Sequence, residues 1–215
     1  MESVVTVIQT VFSMWYLLPI VCLILIIKTP WFKGKLGEFF VNQSIKWMLD
    51  GNRYYLLKNV TLPTADGTTQ IDHIILSTHG VFVIETKNMK GWIFGGQHQR
   101  LWTQKIYRYS KKFQNPLHQN YKHIKTLEAL LGLTEKQLHS VIVFVGDSTF
   151  KTHMPENVTH GSGLISFIKS KTETVLTESQ VFDIAETIES GRLEDSFRTN
   201  RAHIEHIKSI VASKE

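Results

Sequence analysis

The chain has 215 residues, 42% of them hydrophobic and 20% charged, which suits one folded domain of ordinary size with a further segment attached. Its 24 Lys and Arg against 19 Asp and Glu leave a formal net charge of +5, a balance that fits a polyanionic partner, either nucleic acid or an anionic membrane face. Cys22 is the single cysteine, which excludes an internal disulfide and any zinc cluster built from cysteines.

Val4 to Ile27 runs for 24 residues without one charged side chain. Roughly 20 apolar residues cross a hydrocarbon core as a helix, and the scattered Thr, Gln and Ser here form no polar face. Pro19 predicts a kink, which membrane helices tolerate. Trp31 suits an interfacial position better than Trp15 or Tyr16, which lie within the run. The absence of Lys or Arg before the run, and of a small-residue cleavage site after it, argues for a retained anchor over a cleaved signal. Lys28, Lys33 and Lys35 follow, so the positive-inside rule predicts a single-pass membrane protein with its C-terminal bulk in the cytoplasm. A core helix or buried hairpin is the soluble alternative.

Gly34 to Asp50 reads as a helix, with Leu36, Phe40, Val41, Ile45, Met48 and Leu49 at helical spacing as its core face. Glu38 falls near that face. Tyr54 to Leu62 is strand-like, Asp66-Gly67 marks a hairpin turn within Pro63 to Thr69, and Gln70 to Ser77 and Val81 to Lys87 are the next strands. Trp92 to Phe94 and Leu101 to Tyr107 form a further pair around Gly95-Gly96. Asn115-Pro116 starts a helix that Gly132 closes. Val141 to Val145 is a buried central strand by its unbroken apolar character, and Gly163 to Ile168 is one more strand. Ser179 to Glu189 and Asp195 to Ser213 are two helices. This order predicts an α/β layered domain.

The segment Gln70 to Asn88 carries the chemistry. Side chains two apart on a strand share a face, so Glu85 and Lys87 point together with Val81 and Val83. An acid and a base ending an apolar strand are costly unless they meet each other, a metal or an anion. The hairpin brings Asp72 within reach of Glu85. Two carboxylates beside a lysine suit phosphodiester hydrolysis: the acids hold a hard divalent cation through oxygen, and the lysine orients water or neutralises charge on the phosphate. Taken alone, Glu-x-Lys also fits a structural ion pair at a sheet end.

Five segments in order now add up to a resemblance. Gly34-Lys-Leu-Gly-Glu38, Gln70-Ile-Asp-His73, Gly80-Val-Phe-Val-Ile-Glu-Thr-Lys-Asn88, Gly91-Trp-Ile-Phe-Gly95 and Asn115-Pro-Leu-His-Gln-Asn120 resemble the nuclease-related domain (NERD) family of the PD-(D/E)xK superfamily. The resemblance spans roughly Gly34 to Gly146. It implies a restriction-endonuclease-like mixed sheet flanked by helices, metal ligation by Asp72 and Glu85, and Lys87 as the catalytic lysine. It further suggests Glu38 as an auxiliary acid and metal ligand, Gln119 as a site-lining residue, and Mg²⁺ or Mn²⁺ as the cofactor. No proline precedes Asp72, a departure common in that superfamily. The implied organisation is an anchor over residues 1–30, the nuclease-like domain over 31–150 and an α/β extension over 151–215 packed on it.

From Gly91 to Leu127 there is no acidic residue, while Arg100, Lys105, Arg108, Lys111, Lys112, Lys122 and Lys125 lie there, interleaved with Tyr107, Tyr109 and Phe113. Such a stretch predicts contact with a phosphate backbone and unpaired bases; a solvated loop or anionic lipid fits the same charges. Of the 10 histidines, His203 and His206 are spaced to chelate but lack a third ligand, and His73 and His79 flank the site. Gly95-Gly96 lacks the context of a phosphate loop, and Gly161-Ser-Gly163 is a turn. The sequence therefore points to a membrane-anchored, metal-dependent nuclease acting on DNA at the cytoplasmic face. A membrane-tethered nucleic-acid-binding module without catalysis is the alternative, and an interaction protein whose basic patch touches lipid is a third.

Overall fold

The computed structural model describes residues 14–64 and 67–193. A short 3₁₀ turn (Met14–Leu17) leads into α1 (Leu18–Lys28), an 11-residue helix with Pro in its first turn and no buried residue. Among the described residues no helix is long and apolar enough to cross a membrane; residues 4–13 of the predicted span lie outside them. Thr29 then caps α2 (Pro30–Met48), its hydroxyl accepting from Phe32 N–H at 3.2 Å.

Five strands make the main sheet. β1 (Tyr55–Thr64), β2 (Gly67–Ser77) and β3 (Gly80–Asn88) form an antiparallel meander, and β7 (Leu138–Val145) and β9 (Val158–His160) add in parallel, in the order β1-β2-β3-β7-β9. A parallel neighbour needs a long crossover. Between β3 and β7 the chain supplies it with β4 (Gly91–Phe94), β5 (Leu101–Ile106), β6 (Tyr109–Gln114) and helix α3 (Pro116–Leu131). β4, β5 and β6, with β8 (Ser148–Phe150) beside β4, form a second sheet of order β6-β5-β4-β8. α4 (Gly161–Ser170) and α5 (Glu178–Gly191) complete the described chain.

Helices cover both faces of the main sheet, so β3 is apolar on both sides, as its sequence predicts. Ile75, Phe82, Ile84, Val141 and Val143 pack with Val41 and Ile45 of α2 and Leu164, Ile165 and Ile168 of α4. Ile74, Leu76, Val81 and Val83 pack with Leu127 of α3 and Val181, Ile184 and Ile188 of α5. Trp102, Ile93, Phe144 and Ile142 knit the second sheet to the first. Gly95 permits that junction, because a Cβ there would lie 2.3 Å from the Trp102 ring, whose Nε1 donates to Gly96 O at 3.0 Å.

Several expectations change. Gly163 to Ile168 is helix α4, not a strand; Leu164, Ile165 and Ile168 recur at helical spacing and bury one stripe on the sheet. The hairpin connection is shorter than Pro63 to Thr69, since Thr64 already pairs with Gly67. Within the basic stretch, β6 is a strand of its own beside the expected β5, and Lys122 and Lys125 lie on α3. On α2 only Val41, Ile45 and Leu49 of the expected core face are buried, while Leu36, Phe40 and Met48 are exposed. The expected helix over Asp195 to Ser213, with His203 and His206, lies outside the described residues.

Candidate active site in the cleft between α2, β2 and α3

The β2–β3 ladder ends at His73–Ile84. One residue further Asp72 turns its carboxylate to the freed backbone, and Oδ2 accepts from Thr86 N–H at 2.8 Å. The strand on the other side gives way at the same level. Lys58 pairs with His73 and Val60 with Ile71, so Asn59 lies opposite Asp72, and it adopts φ 49°. Asn is among the few residues that tolerate this conformation, and such local strain is typical of functional positions.

Glu85 and Lys87 share a face of β3, as strand periodicity requires. Lys87 Nζ donates to Glu85 Oε1 at 2.6 Å and to Gln119 Oε1 at 2.9 Å. His123 Nε2 lies 3.3 Å from Glu85 Oε2, and its Nδ1 lies 2.7 Å from the Thr69 hydroxyl. With Glu85 ionised, Nε2 donates to the carboxylate and Nδ1 accepts from Thr69, which fixes the tautomer. Gln119 and His123 are four apart on α3 and therefore stand one above the other on one face. Asn115 sets their height. Its Oδ1 caps α3 by accepting from Leu117 N–H at 2.9 Å, and its Nδ2 clamps the preceding loop at Gln99 O, 2.7 Å away.

Burial pushes Asp72 up to about 7, with the Glu85 charge adding to it and Glu38 contributing less; the Thr86 N–H and Lys87 oppose the rise. Burial also raises Glu85, but the His123 hydrogen bond and the Lys87 ammonium outweigh it and hold Glu85 below its ordinary value. Near neutrality Glu85 is thus the ionised member of the pair and Asp72 the one that shares a proton.

An open cleft of about 720 Å³ lies in front of these groups. α2 contributes Trp31, Gly34, Lys35 and Glu38, β2 contributes Thr68 to Gln70 and Asp72, β6 contributes Gln114, and α3 contributes Gln119, Lys122 and His123. Glu85 and Lys87 do not line it; they stand one layer deeper, behind Gln119 and His123. Gly37 allows α2 to come this close. A Cβ there would sit 2.9 Å from both Asn88 Cβ and Val145 Cγ2.

Glu38 reaches the rim of the cleft but pairs with Lys35 at 3.0 Å. Among the described residues no three His, Cys, Asp or Glu side chains converge to enclose an ion. The donors nevertheless suit a hard cation. Mg²⁺ keeps several waters and takes one or two carboxylates together with substrate phosphate oxygens. Burial and two acidic neighbours lift Asp72 to about 7, and a divalent ion relieves that repulsion.

The basic residues divide. Lys122 lines the cleft itself. Register places Lys105 and Lys112 on the face of the β5–β6 hairpin that carries Gln114, whereas Lys111 is on the opposite face and Arg108 is in the turn. Lys105 also lies over the Trp92 ring, 5.9 Å from its centroid, and Arg100 is exposed in the loop before β5. Lys125 is engaged by Glu128 and Tyr121. His73 is buried on the sheet face away from Asp72, and burial pushes it down to about 4, which makes it a neutral core residue. His79 sits at the far end of the strands, against Arg53 and Glu173 O.

Residues 33–145 match the nuclease-related domain family. The chain belongs to this family. That places it in the PD-(D/E)xK-like nuclease superfamily, whose domains usually use divalent metals. The match takes in Glu38, Asp72, Glu85, Lys87 and Gln119. The chain is also 40% identical over 192 residues to an uncharacterized protein of Bacillus anthracis, covering 86% of this chain and 88% of that one. In this NERD domain the contribution of His123 and Thr69 was not foreseen from sequence. The available signal was spacing, since His123 falls one helical turn after Gln119.

Proposed function

We propose that the chain is a metal-dependent nuclease that hydrolyses phosphodiester bonds of DNA, tethered to a membrane with its NERD domain on the cytoplasmic side. The observation that carries the reading is that Asp72, raised to about 7, lines a polar cleft with Gln119, while directly behind them Lys87 is hydrogen-bonded to both Glu85 and Gln119. Carboxyls pushed this far by burial and a charged neighbour, and facing a cleft, concentrate at functional sites. Asp72 and Glu85 would hold Mg²⁺ or Mn²⁺, which when bound lowers the pKa of a water ligand and polarises the phosphate. Gln119 and Glu85 hold the Lys87 ammonium just behind the cleft wall, from where its charge offsets charge growing on the phosphate oxygens. Lys122, Lys112 and Lys105 lie on the approach and hold the backbone of the strand without reading its sequence. The tether rests on the uncharged run from Val4 and on α1, whose Leu18, Ile20, Leu23, Ile24 and Ile27 are all exposed. A helix apolar on every side suits lipid.

One observation favours a second reading, a binding module without catalysis: Glu85 already has both oxygens engaged, by Lys87 and His123. One experiment separates the two. The full chain in detergent micelles is incubated with linear and circular, single- and double-stranded DNA and with Mg²⁺ or Mn²⁺, beside Lys87→Ala and Asp72→Ala. Cleavage by the wild type and loss in both variants supports the nuclease. Equal cleavage by all three overturns the site. DNA binding without cleavage under either metal selects the module.

A further inference from the structure

α2 is apolar on two opposite sides. Val41, Ile45 and Leu49 face the sheet. At about 100° per residue, Phe32, Leu36, Phe39, Phe40 and Trp47 fall within an arc of about 100° on the other side, interrupted only by Gln43. This outer stripe is about 22 Å long. Phe40 is 55% exposed and Trp47 82%. Lys33 borders the stripe on one edge and Lys46 on the other. A helix covered by its own domain would not leave three large aromatic rings in water.

The geometry points to α2 as an in-plane membrane helix: its outer stripe lies in the interface of an anionic bilayer, with the lysines at the headgroups. The inference rests on the membrane tether proposed above and adds to it a second, lateral contact that fixes how the domain lies. Three observations favour lipid over a protein partner. The stripe begins directly after α1, which is apolar and exposed on every side, with only Thr29 between the two helices. Aromatic rings and lysine-edged apolar faces are the composition of interfacial helices. The cleft residues of α2, Trp31, Gly34, Lys35 and Glu38, all fall outside the stripe, so a bilayer against it leaves the cleft open. The domain would then lie beside the membrane with its cleft facing along or away from the surface, at about the thickness of one helix from the lipid.

The test uses the full chain, with Cys22→Ser and Gln43→Cys carrying an environment-sensitive fluorophore. Gln43 is the one polar position in the stripe, so labelling it removes no apolar contact. A Lys136→Cys chain, labelled on the exposed turn before β7, is the control. On addition of vesicles of phosphatidylcholine with phosphatidylglycerol, emission at Gln43 shifts to the blue and is quenched by lipids brominated near the headgroup; emission at Lys136 does not change. Phe40→Glu with Trp47→Glu returns the Gln43 signal to its aqueous value while the chain still floats with the vesicles. If the chain floats but Gln43 emits as in water, the in-plane contact is overturned and the tether stands. If the chain does not float, both fall. If Gln43 is already in an apolar environment before lipid is added, a second copy or another part of the chain covers the stripe, and the inference is overturned.

Discussion

Replacing Asp72 by Asn isolates the electrostatic load that the site places on the fold. Asn is isosteric and its oxygen still accepts from Thr86 N–H. In the folded chain Asp72 ionises near pH 7, against 3.8 ordinarily. A carboxyl with a raised pKa is protonated more readily in the folded state, so its penalty is absent below pH 4, grows through the interval and is complete above pH 7. About three pH units at about 1.4 kcal/mol each give up to about 4 kcal/mol of destabilisation in the metal-free protein. His73 works in the other direction. Burial lowers it from 6.5 to about 4, so the stability it contributes is present above pH 6.5 and is lost as pH falls toward 4. The two slopes offset each other in the wild type, and the informative quantity is the difference between wild type and Asp72→Asn. Thermal unfolding of both proteins with a chelator, from about pH 3.5 to 8, should show nearly equal stability at the acid end and Asp72→Asn pulling ahead as pH rises. Mg²⁺ should then narrow the gap by stabilising only the wild type, by about 2.7 kcal/mol at a hundred times its Kd. Parallel profiles for the two proteins at every pH would refute the upward push that burial and Glu85 give Asp72, and with it the physical case for a cation there.

His123→Ala should leave Glu85 Oε2 without its donor and weaken Mg²⁺ binding about 10-fold or more, the usual cost of losing a partner that orients a ligand; calorimetric titration reads it. Gly37→Ala should destabilise the domain by about 1–3 kcal/mol, because the new methyl meets Asn88 and Val145 at 2.9 Å and lifts α2 off the sheet; denaturant unfolding reads it. Lys112→Ala with Lys122→Ala should flatten the salt dependence of DNA affinity by roughly 0.7 to 0.9 per lost phosphate contact, while Lys111→Ala on the opposite face should leave that slope nearly unchanged.

Period-two alternation was enough to put Glu85 beside Lys87 and to offer Asp72 across a hairpin, because strand geometry leaves side chains only two directions. It was not enough to show that the β2–β3 ladder stops at His73, which frees Asp72 to take the Thr86 N–H. Nor does spacing show that Glu38 turns to Lys35. α2 misled for a different reason. Leu36, Phe40 and Met48 sit at helical spacing with the core residues, but the helix has two apolar stripes, and periodicity does not say which one the domain covers. The run from Gly163 to Ile168 is six residues long, a length at which strand and buried helix look alike. His123 and Thr69 meet across 54 residues of chain, a distance no local pattern reports.

Both partners that hold the Lys87–Glu85 pair from outside β3 come from one helix, Gln119 and His123 of α3, and that helix is pinned at its start by Asn115. Its register is therefore a single point at which the site can be switched off by inheritance. Deleting or inserting one residue between Asn115 and Gln119 rotates everything beyond it by about 100° and carries Gln119 and His123 away from the sheet in one step. A chain of this family can keep Asp72, Glu85 and Lys87 and still lose this arrangement; the spacing from Asn115 to Gln119 is where such a loss would first be written.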